Sequence, residues 1–327
     1  MAVNAKAKCR LIIDSCSDLD WSVVENAGVD YFTFPINMND GEHPDDFWQS
    51  MTAEEFYNRI QGGEVASTAQ IPMHVIYEKF EECAQEGTPT VYIAFTGGLS
   101  GTYANVEDAA AKIREKYPDF ELYTVDSMLA CVGEGFLAYQ AICQRDRGLT
   151  AKQLAEWAEE ARWFVECVFT VEDLEYLRRG GRIPSAAAAL GTKLDVKPIL
   201  SFNLDGSLSM IGVSRGRKKA LKALAKYYVD DHVESLGTGE TVLIGSSVCD
   251  KDADRLEEHL ARPKDSIPAM RSSIGPTIGA HLGPGAAAVA FWGPDRRGKI
   301  SFADSIASQV IAEDEKGGKT EKPSDGE

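Results

Sequence analysis

The chain has 327 residues, 44% of them apolar, and carries 34 Lys and Arg against 51 Asp and Glu, for a formal charge of −17. That composition describes a globular chain with ample core and argues against a general nucleic-acid binder, whose affinity would come from basic residues on phosphates. No apolar run approaches the ~20 residues of a membrane span, and seven cysteines without a CxxC pair predict free thiols in a reducing cytoplasm rather than a disulfide frame or zinc site.

Taken from the start, the first ten residues lead into Leu11-Ile12-Ile13 and are too soon interrupted by Asp14 for a signal peptide. β-branched and aromatic runs at 9–13, 90–95 and 121–125 read as strands. Each gives way to a small polar loop and then to a helical pattern, the alternation of βαβ units around a parallel sheet. The loops are Asp14-Ser15-Cys16-Ser17-Asp18, the segment from Thr96 to Thr102, and Asp126-Ser127. All three fall beyond the carboxyl ends of their strands, where open α/β sheets bind ligands.

A helix opens at Thr150 with a Thr150/Gln153 capping box and runs to about Phe164, joining two halves. The second half reads as a mixed sheet. It has a strand at 167–170, a hairpin pairing 197–203 with 207–214 around Asp205-Gly206, and strands at 241–246, near 269–272 and at 286–291. Helices are expected at about 217–228 and 252–261. The polar, aperiodic segment 313–327 is expected to be disordered.

Charge is uneven. Between residues 170 and 230 eleven basic residues face six acidic ones, a local +5 that leaves −22 for the rest. This is either a solvated helix face or a docking surface for an anionic ligand or partner.

No GxxxxGK[ST] is present to support ATP binding through that loop. Gly133-x-Gly135-x-x-Ala138 imitates a dinucleotide fingerprint, but it lies some eight residues past its strand without an acid at the ~20-residue spacing, and reads as close helix packing. The five histidines never stand at i,i+4, so no metal site is expected. Thr96-Gly97-Gly98-Leu99-Ser100-Gly101-Thr102 combines flexible backbone, two hydroxyls and a following helix start, which suits a carboxylate or phosphate. It can equally be a strand-to-helix turn capped by Ser100 or Thr102. The segment 66–72, with Ser67, Thr68 and Gln70, is by itself an N-terminal cap. Around His281, four glycines and two prolines make either a rigid loop holding the imidazole against a ligand or a capped turn with an exposed histidine. Leu177-Arg178-Arg179-Gly180-Gly181-Arg182-Ile183 ends a helix at a glycine pair, with arginines near its negative end.

Taken together these segments resemble the DegV family, bacterial fatty-acid-binding proteins that serve a fatty acid kinase. The likeness runs from about residue 9 to 306 and rests on the loops at 14–18, 68–70, 99–103 and 126–127, on 174–183 and 196–200, and on His281-Leu282-Gly283-Pro284-Gly285. It implies two α/β domains, a parallel-sheet one at 1–165 and a mixed-sheet one at 166–312, with an acyl-chain tunnel between or within them. By motif it assigns carboxyl binding to Thr68, Ser100 and His281. Thr96, Gly97, Gly101, Thr102, Asp14, Ser15, Asp126 and Ser127 become supporting loop residues. Ala69, Thr96 and Gly97 depart from the family pattern, where serines are usual.

The implied protein is a carrier and not an enzyme, without cofactor or metal. It would take a long-chain fatty acid through transient contact with a membrane surface and present the carboxyl to a separate ATP-dependent kinase. Arg178, Arg179 and Arg182 are the candidate docking residues. The alternatives are a carrier for another lipid or apolar acid, or a serine hydrolase using Ser100, Asp126 and His281, whose chain order fits although Gly98-Leu99-Ser100-Gly101 is not GxSxG.

Overall fold

A computed structural model describes residues 7–183, 195–233, 241–260 and 269–298; the expected tail at 313–327 lies outside them. The first half runs β1 (Arg10–Asp14), α1 (Trp21–Ala27), β2 (Asp30–Phe32), β3 (Phe34–Met38), β4 (Gly41–Asp45), α2 (Ala53–Gln61), β5 (Ser67–Thr68) and α3 (Met73–Glu86). It continues with β6 (Thr90–Ala94), α4 (Thr102–Lys116), β7 (Leu122–Asp126), α5 (Val132–Asp146) and α6 (Ala151–Ala161). The second half has β8 (Val165–Thr170), α7 (Glu175–Arg179), β9 (Val196–Phe202), β10 (Leu208–Arg215), α8 (Arg217–Asp231), β11 (Leu243–Ser246), α9 (Asp250–His259), β12 (Met270–Ser273), α10 (Pro276–Leu282) and β13 (Ala287–Trp292).

Three sheets form among the described residues. β2-β1-β6-β7 is all parallel, as the alternating pattern predicts. The other large sheet, β10-β9-β8-β13-β11-β12, is mixed and includes the expected antiparallel hairpin of β9 and β10. A small antiparallel sheet, β4-β3-β5, was not legible in the sequence. The Thr150 capping box is present, with Thr150 Oγ1 accepting the Gln153 amide and Gln153 reaching back to the Thr150 amide.

The α5 helix ties the halves together. Nearly all its residues are buried, and it packs on β8, β11 and β13 as well as on β1. A side chain at Gly135 would strike the Ser17 carbonyl, and one at Gly133 would lie 2.9 Å from Cys167 Cβ. The glycines of the imitation fingerprint therefore serve helix packing. One apolar core runs from β1 through α5 to β13, so the two halves share it.

Candidate functional site

Between the carboxyl end of the parallel sheet and the face of the mixed sheet lies a cavity of about 560 Å³, within the 300–1,000 Å³ typical of ligand pockets. Its wall is mainly apolar, with Phe34, Phe95, Phe169, Phe202, Ile278 and Leu282 among its residues. Exposure is graded along it. Gly97, Gly98, Gly101 and Gln70 at one end are exposed, and Thr68, Ser100, Arg182 and His281 are half-buried. Ala130, Cys131, Cys167, Phe169 and Ala288 at the other end are buried. The charged and hydroxyl side chains Thr68, Ser100, Arg182 and His281 lie in the half-buried part of the lining, and the buried part is apolar apart from Thr277.

Thr68, Ser100 and His281, far apart in sequence, all line this cavity. Thr68 is placed by the pairing of β5 with β3, opposite Ile36. Its Oγ1 shares a hydrogen bond of 2.9 Å with His281 Nε2. His281 stands in the last turn of α10, a helix opened by Pro276 at its first position and closed by Gly283. The histidine is thus carried by a helix rather than by the rigid loop that its glycines and prolines suggested. Burial holds the imidazole well below its ordinary value, at about 4, and the charges of Arg182 and Arg179 push the same way. The ring is neutral at pH 7. A side chain on Gly180 would collide with the ring, so the glycine pair after α7 makes the room it needs.

Ser100 accepts the Thr102 amide at 3.1 Å and donates to Thr102 Oγ1 at 3.0 Å. Ser100 thus closes the turn into α4, whose N-cap position is Gly101, and also lines the cavity. Thr96 is buried, receives the Gly98 amide at 3.0 Å and donates to the Gly206 carbonyl at 3.2 Å, which docks the β9–β10 turn onto the loop. Gly97 donates to Asp126 Oδ2 at 3.0 Å, and a Cβ there would lie 2.9 Å from that oxygen. The departures at Thr96 and Gly97 are thus matched to their neighbours. Gly101 sits against Gln70, whose side chain accepts from Asn105 at 3.1 Å, while Ala69 is exposed.

The remaining loop residues support from behind. Asp14, fully buried, receives the Cys16 and Phe95 amides and the Tyr92 hydroxyl. Desolvation lifts its carboxyl to about 6. Ser15 Oγ accepts the Phe34 amide at 3.1 Å, and Ser127 Oγ donates to the Leu129 carbonyl at 3.0 Å. Asp126 is engaged by the Gly97 and Met128 amides, and the imidazole's Nε2 is taken by Thr68. Ser100, Asp126 and His281 therefore form no hydrogen-bonded relay of the kind a serine hydrolase uses.

The three arginines separate. Arg178 is exposed and pairs with Glu175, and Arg179 lies over the Tyr176 ring, 4.9 Å from its centroid. Arg182 turns inward to line the cavity, donating to the carbonyls of Leu99 at 3.2 Å and Gly180 at 2.5 Å. Its charge makes the mouth electropositive. Sequence reasoning read it as a surface residue, since the run Arg178-Arg179-Gly180-Gly181-Arg182 carries no periodicity to say which member faces in. The cavity has no metal cluster near it: among the described residues no group of three His, Cys, Asp or Glu could hold a metal ion. Among those residues no helix is long and apolar enough to cross a membrane, and all seven cysteines are free thiols.

Comparison with known proteins gives a consistent picture. Residues 8–293 match the family model described as "Uncharacterised protein, DegV family". A DegV domain-containing protein of Clostridium perfringens is 35% identical over 283 residues, covering 86% of this chain and 97% of its own. One from Streptococcus pyogenes is 30% identical over 288 residues, covering 88% and 99%. Among solved structures, a DegV family protein from Thermus thermophilus, described as fatty-acid binding, superposes with a TM-score of 0.75 at 26% identity, covering 88% of this chain and all of its own. A stearic acid-binding protein from Eubacterium ventriosum shares the fold at 24% identity, with a TM-score of 0.74 over 86% of this chain and 97% of its own.

Proposed function

The chain belongs to the DegV family, and on that footing we propose that it is a fatty-acid carrier. One long-chain acid lies in the cavity with its carboxylate at the mouth, between Thr68, Ser100 and His281, and its tail toward Ala288 and Cys167. The observation that carries this reading is the grading of the cavity, with hydroxyls, a neutral imidazole and the Arg182 charge at the open end and buried apolar wall beyond them. The fatty-acid binding described for the Thermus thermophilus relative supports it.

Magnitudes assign the work. Burying a tail of about sixteen carbons at ~0.8 kcal/mol per CH₂ gives a gross term of about 12 kcal/mol. One head-group hydrogen bond contributes only ~1–3 kcal/mol. The tail therefore supplies affinity, and the polar mouth sets which end faces out. A neutral imidazole and hydroxyls orient a carboxylate without engulfing it, which leaves an oxygen open to a second protein.

That second protein is an ATP-dependent fatty acid kinase, to which this chain presents the carboxyl for acyl-phosphate formation after acquiring the acid in transient contact with a membrane surface. The chain acts as a carrier and not a catalyst, in the cytoplasm, where its seven thiols stay reduced. Arg178 and Arg179, exposed beside the mouth-lining Arg182, are the docking residues. The test is acyl-phosphate formation from ATP, fatty acid and the kinase. It requires this chain, and Ser100→Ala or Thr68→Ala slows it because transfer needs accurate placement of the carboxyl. Full activity with either variant would refute that residue's assignment.

A further inference from the structure

Two carboxyl groups from distant parts of the chain converge on the start of α10. Asp18 Oδ1 accepts the Gly275 amide at 2.8 Å, and Asp45 Oδ2 accepts the Thr277 amide at 3.2 Å. A methyl group on Gly275 would lie 2.6 Å from the Asp18 carboxyl and 3.2 Å from that of Asp45, so a larger residue there would displace both. Both side chains are buried, at 2% and 1% exposure, and the charges that reach them are those of other acids, Asp14 and Asp46 included. Beyond those amides, Asp18 meets the Cys131 thiol and Asp45 the Thr277 hydroxyl. Holding two carboxyls in such a place is unfavourable in itself, and what they gain is the seat of one helix.

That helix is held at the same end by Tyr57, whose hydroxyl donates to the Ile274 carbonyl at 2.8 Å and stands so close to Gly279 that a Cβ there would meet it at 2.5 Å. From this anchored start α10 runs without interruption to His281, and Thr277, Ile278, His281 and Leu282 all line the cavity. A short helix moves as one body, so a shift at Gly275 is delivered to the imidazole.

We infer that Asp18 and Asp45 are positioning residues of the cavity mouth: by holding the first amides of α10 they set where His281 meets Thr68. The inference rests on the fatty-acid reading for the identity of the ligand, while the contacts themselves do not depend on it.

The experiment compares wild type, Asp45→Ala, Asp18→Ala and the conservative Asp45→Asn. Decanoic acid and decanol are titrated into each by calorimetry, and the His281 ring nitrogens of the ligand-free proteins are followed by NMR. In Asp45→Ala, affinity for the acid falls about tenfold, the effect of losing one head-group hydrogen bond, while affinity for the alcohol stays within about twofold. Asp45→Asn keeps an acceptor oxygen and restores most of the acid affinity. Asp18→Ala supplies the same comparison where Asp45→Ala fails to fold. Equal losses for acid and alcohol would overturn the positioning role. So would a His281 ring signal in both alanine variants that matches wild type. Failure of wild type to take up either ligand would instead refute the fatty-acid reading, and the ligand-free His281 signal would still decide the inference.

Discussion

Ala288 offers the sharpest probe of where the acyl tail lies. It sits on β13, an inner strand of the mixed sheet, in register with Phe169 and at the buried end of the cavity. Its neighbours Ala287 and Val289 point to the opposite face and a different apolar cluster. Ala288→Ile adds three carbons to the cavity floor. With a tail that reaches the floor, they displace about three methylenes. At ~0.8 kcal/mol per CH₂ the loss is about 2.4 kcal/mol, on the order of 50-fold in Kd for a long chain. An acid shorter by about four carbons stops before the new side chain and binds as it does to wild type. The assay is calorimetric titration across a series of saturated acids. In wild type Kd falls with each added carbon, and in the variant that fall ends about three carbons earlier. The added carbons fill a void, so Tm is unchanged or higher. An equal loss at every chain length, or undiminished affinity for the longest acid, would refute the placement of the tail against Ala288.

Further predictions concern the mouth and its supports. Thr68→Val removes the hydroxyl bonded to His281 while keeping the side chain's shape, and should weaken acid binding by about 1–3 kcal/mol with little effect on the corresponding alcohol; calorimetry with the two ligands checks it. Gly97→Ser restores a family-typical residue but forces its Cβ to 2.9 Å from Asp126, and should destabilise the fold by about 1–3 kcal/mol, read as a lower Tm. Stability also depends on pH. Burial raises Asp45 to about 7 and Asp14 to about 6, with Asp18 and Glu134 pushed up as well, so the folded state favours their protonated forms. Their contribution is complete below the unfolded carboxyl range near ~4 and is lost as pH rises through the folded values. His281 acts oppositely: its neutral ring contributes above the ordinary value of ~6.5 and that contribution is lost as pH falls toward 4. Above about pH 6.5 the carboxyl slope remains, joined toward pH 8 by the buried thiols, which desolvation also raises. Tm should fall between there and about pH 8, less steeply in Asp45→Asn; an unchanged slope in that variant would exclude Asp45 as a source.

Strands with strong local patterns were legible in the sequence. Runs such as Leu11-Ile12-Ile13 and Val91-Tyr92-Ile93 are buried on both faces and need no partner to be recognised. The small sheet was not. β4 reads Gly41-Glu42-His43-Pro44-Asp45, an edge strand whose polar residues and proline are what edges tolerate. β5 has two residues, too few to show a period of two. That sheet places Thr68, so the motif could be named from sequence while its position could not be derived. Around His281 the glycines outweighed Pro276 and Gly283, which are the start and stop signals of a helix. The roles of Asp18 and Asp45 depend on contacts spanning 257 and 232 positions. No local pattern carries such information, and the burial of Arg182 escapes it for the same reason.

One acyl chain per protein, its carboxyl at the Thr68–Ser100–His281 mouth, is the arrangement that decides the proposed function. Native mass spectrometry of the protein as purified, with extraction and identification of whatever is bound, tests it most directly. An adduct of a single long-chain fatty acid, or uptake of one such acid per chain when it is added, is expected, with displacement of that ligand by a second fatty acid. Finding no acyl ligand and no uptake of added fatty acid would contradict it.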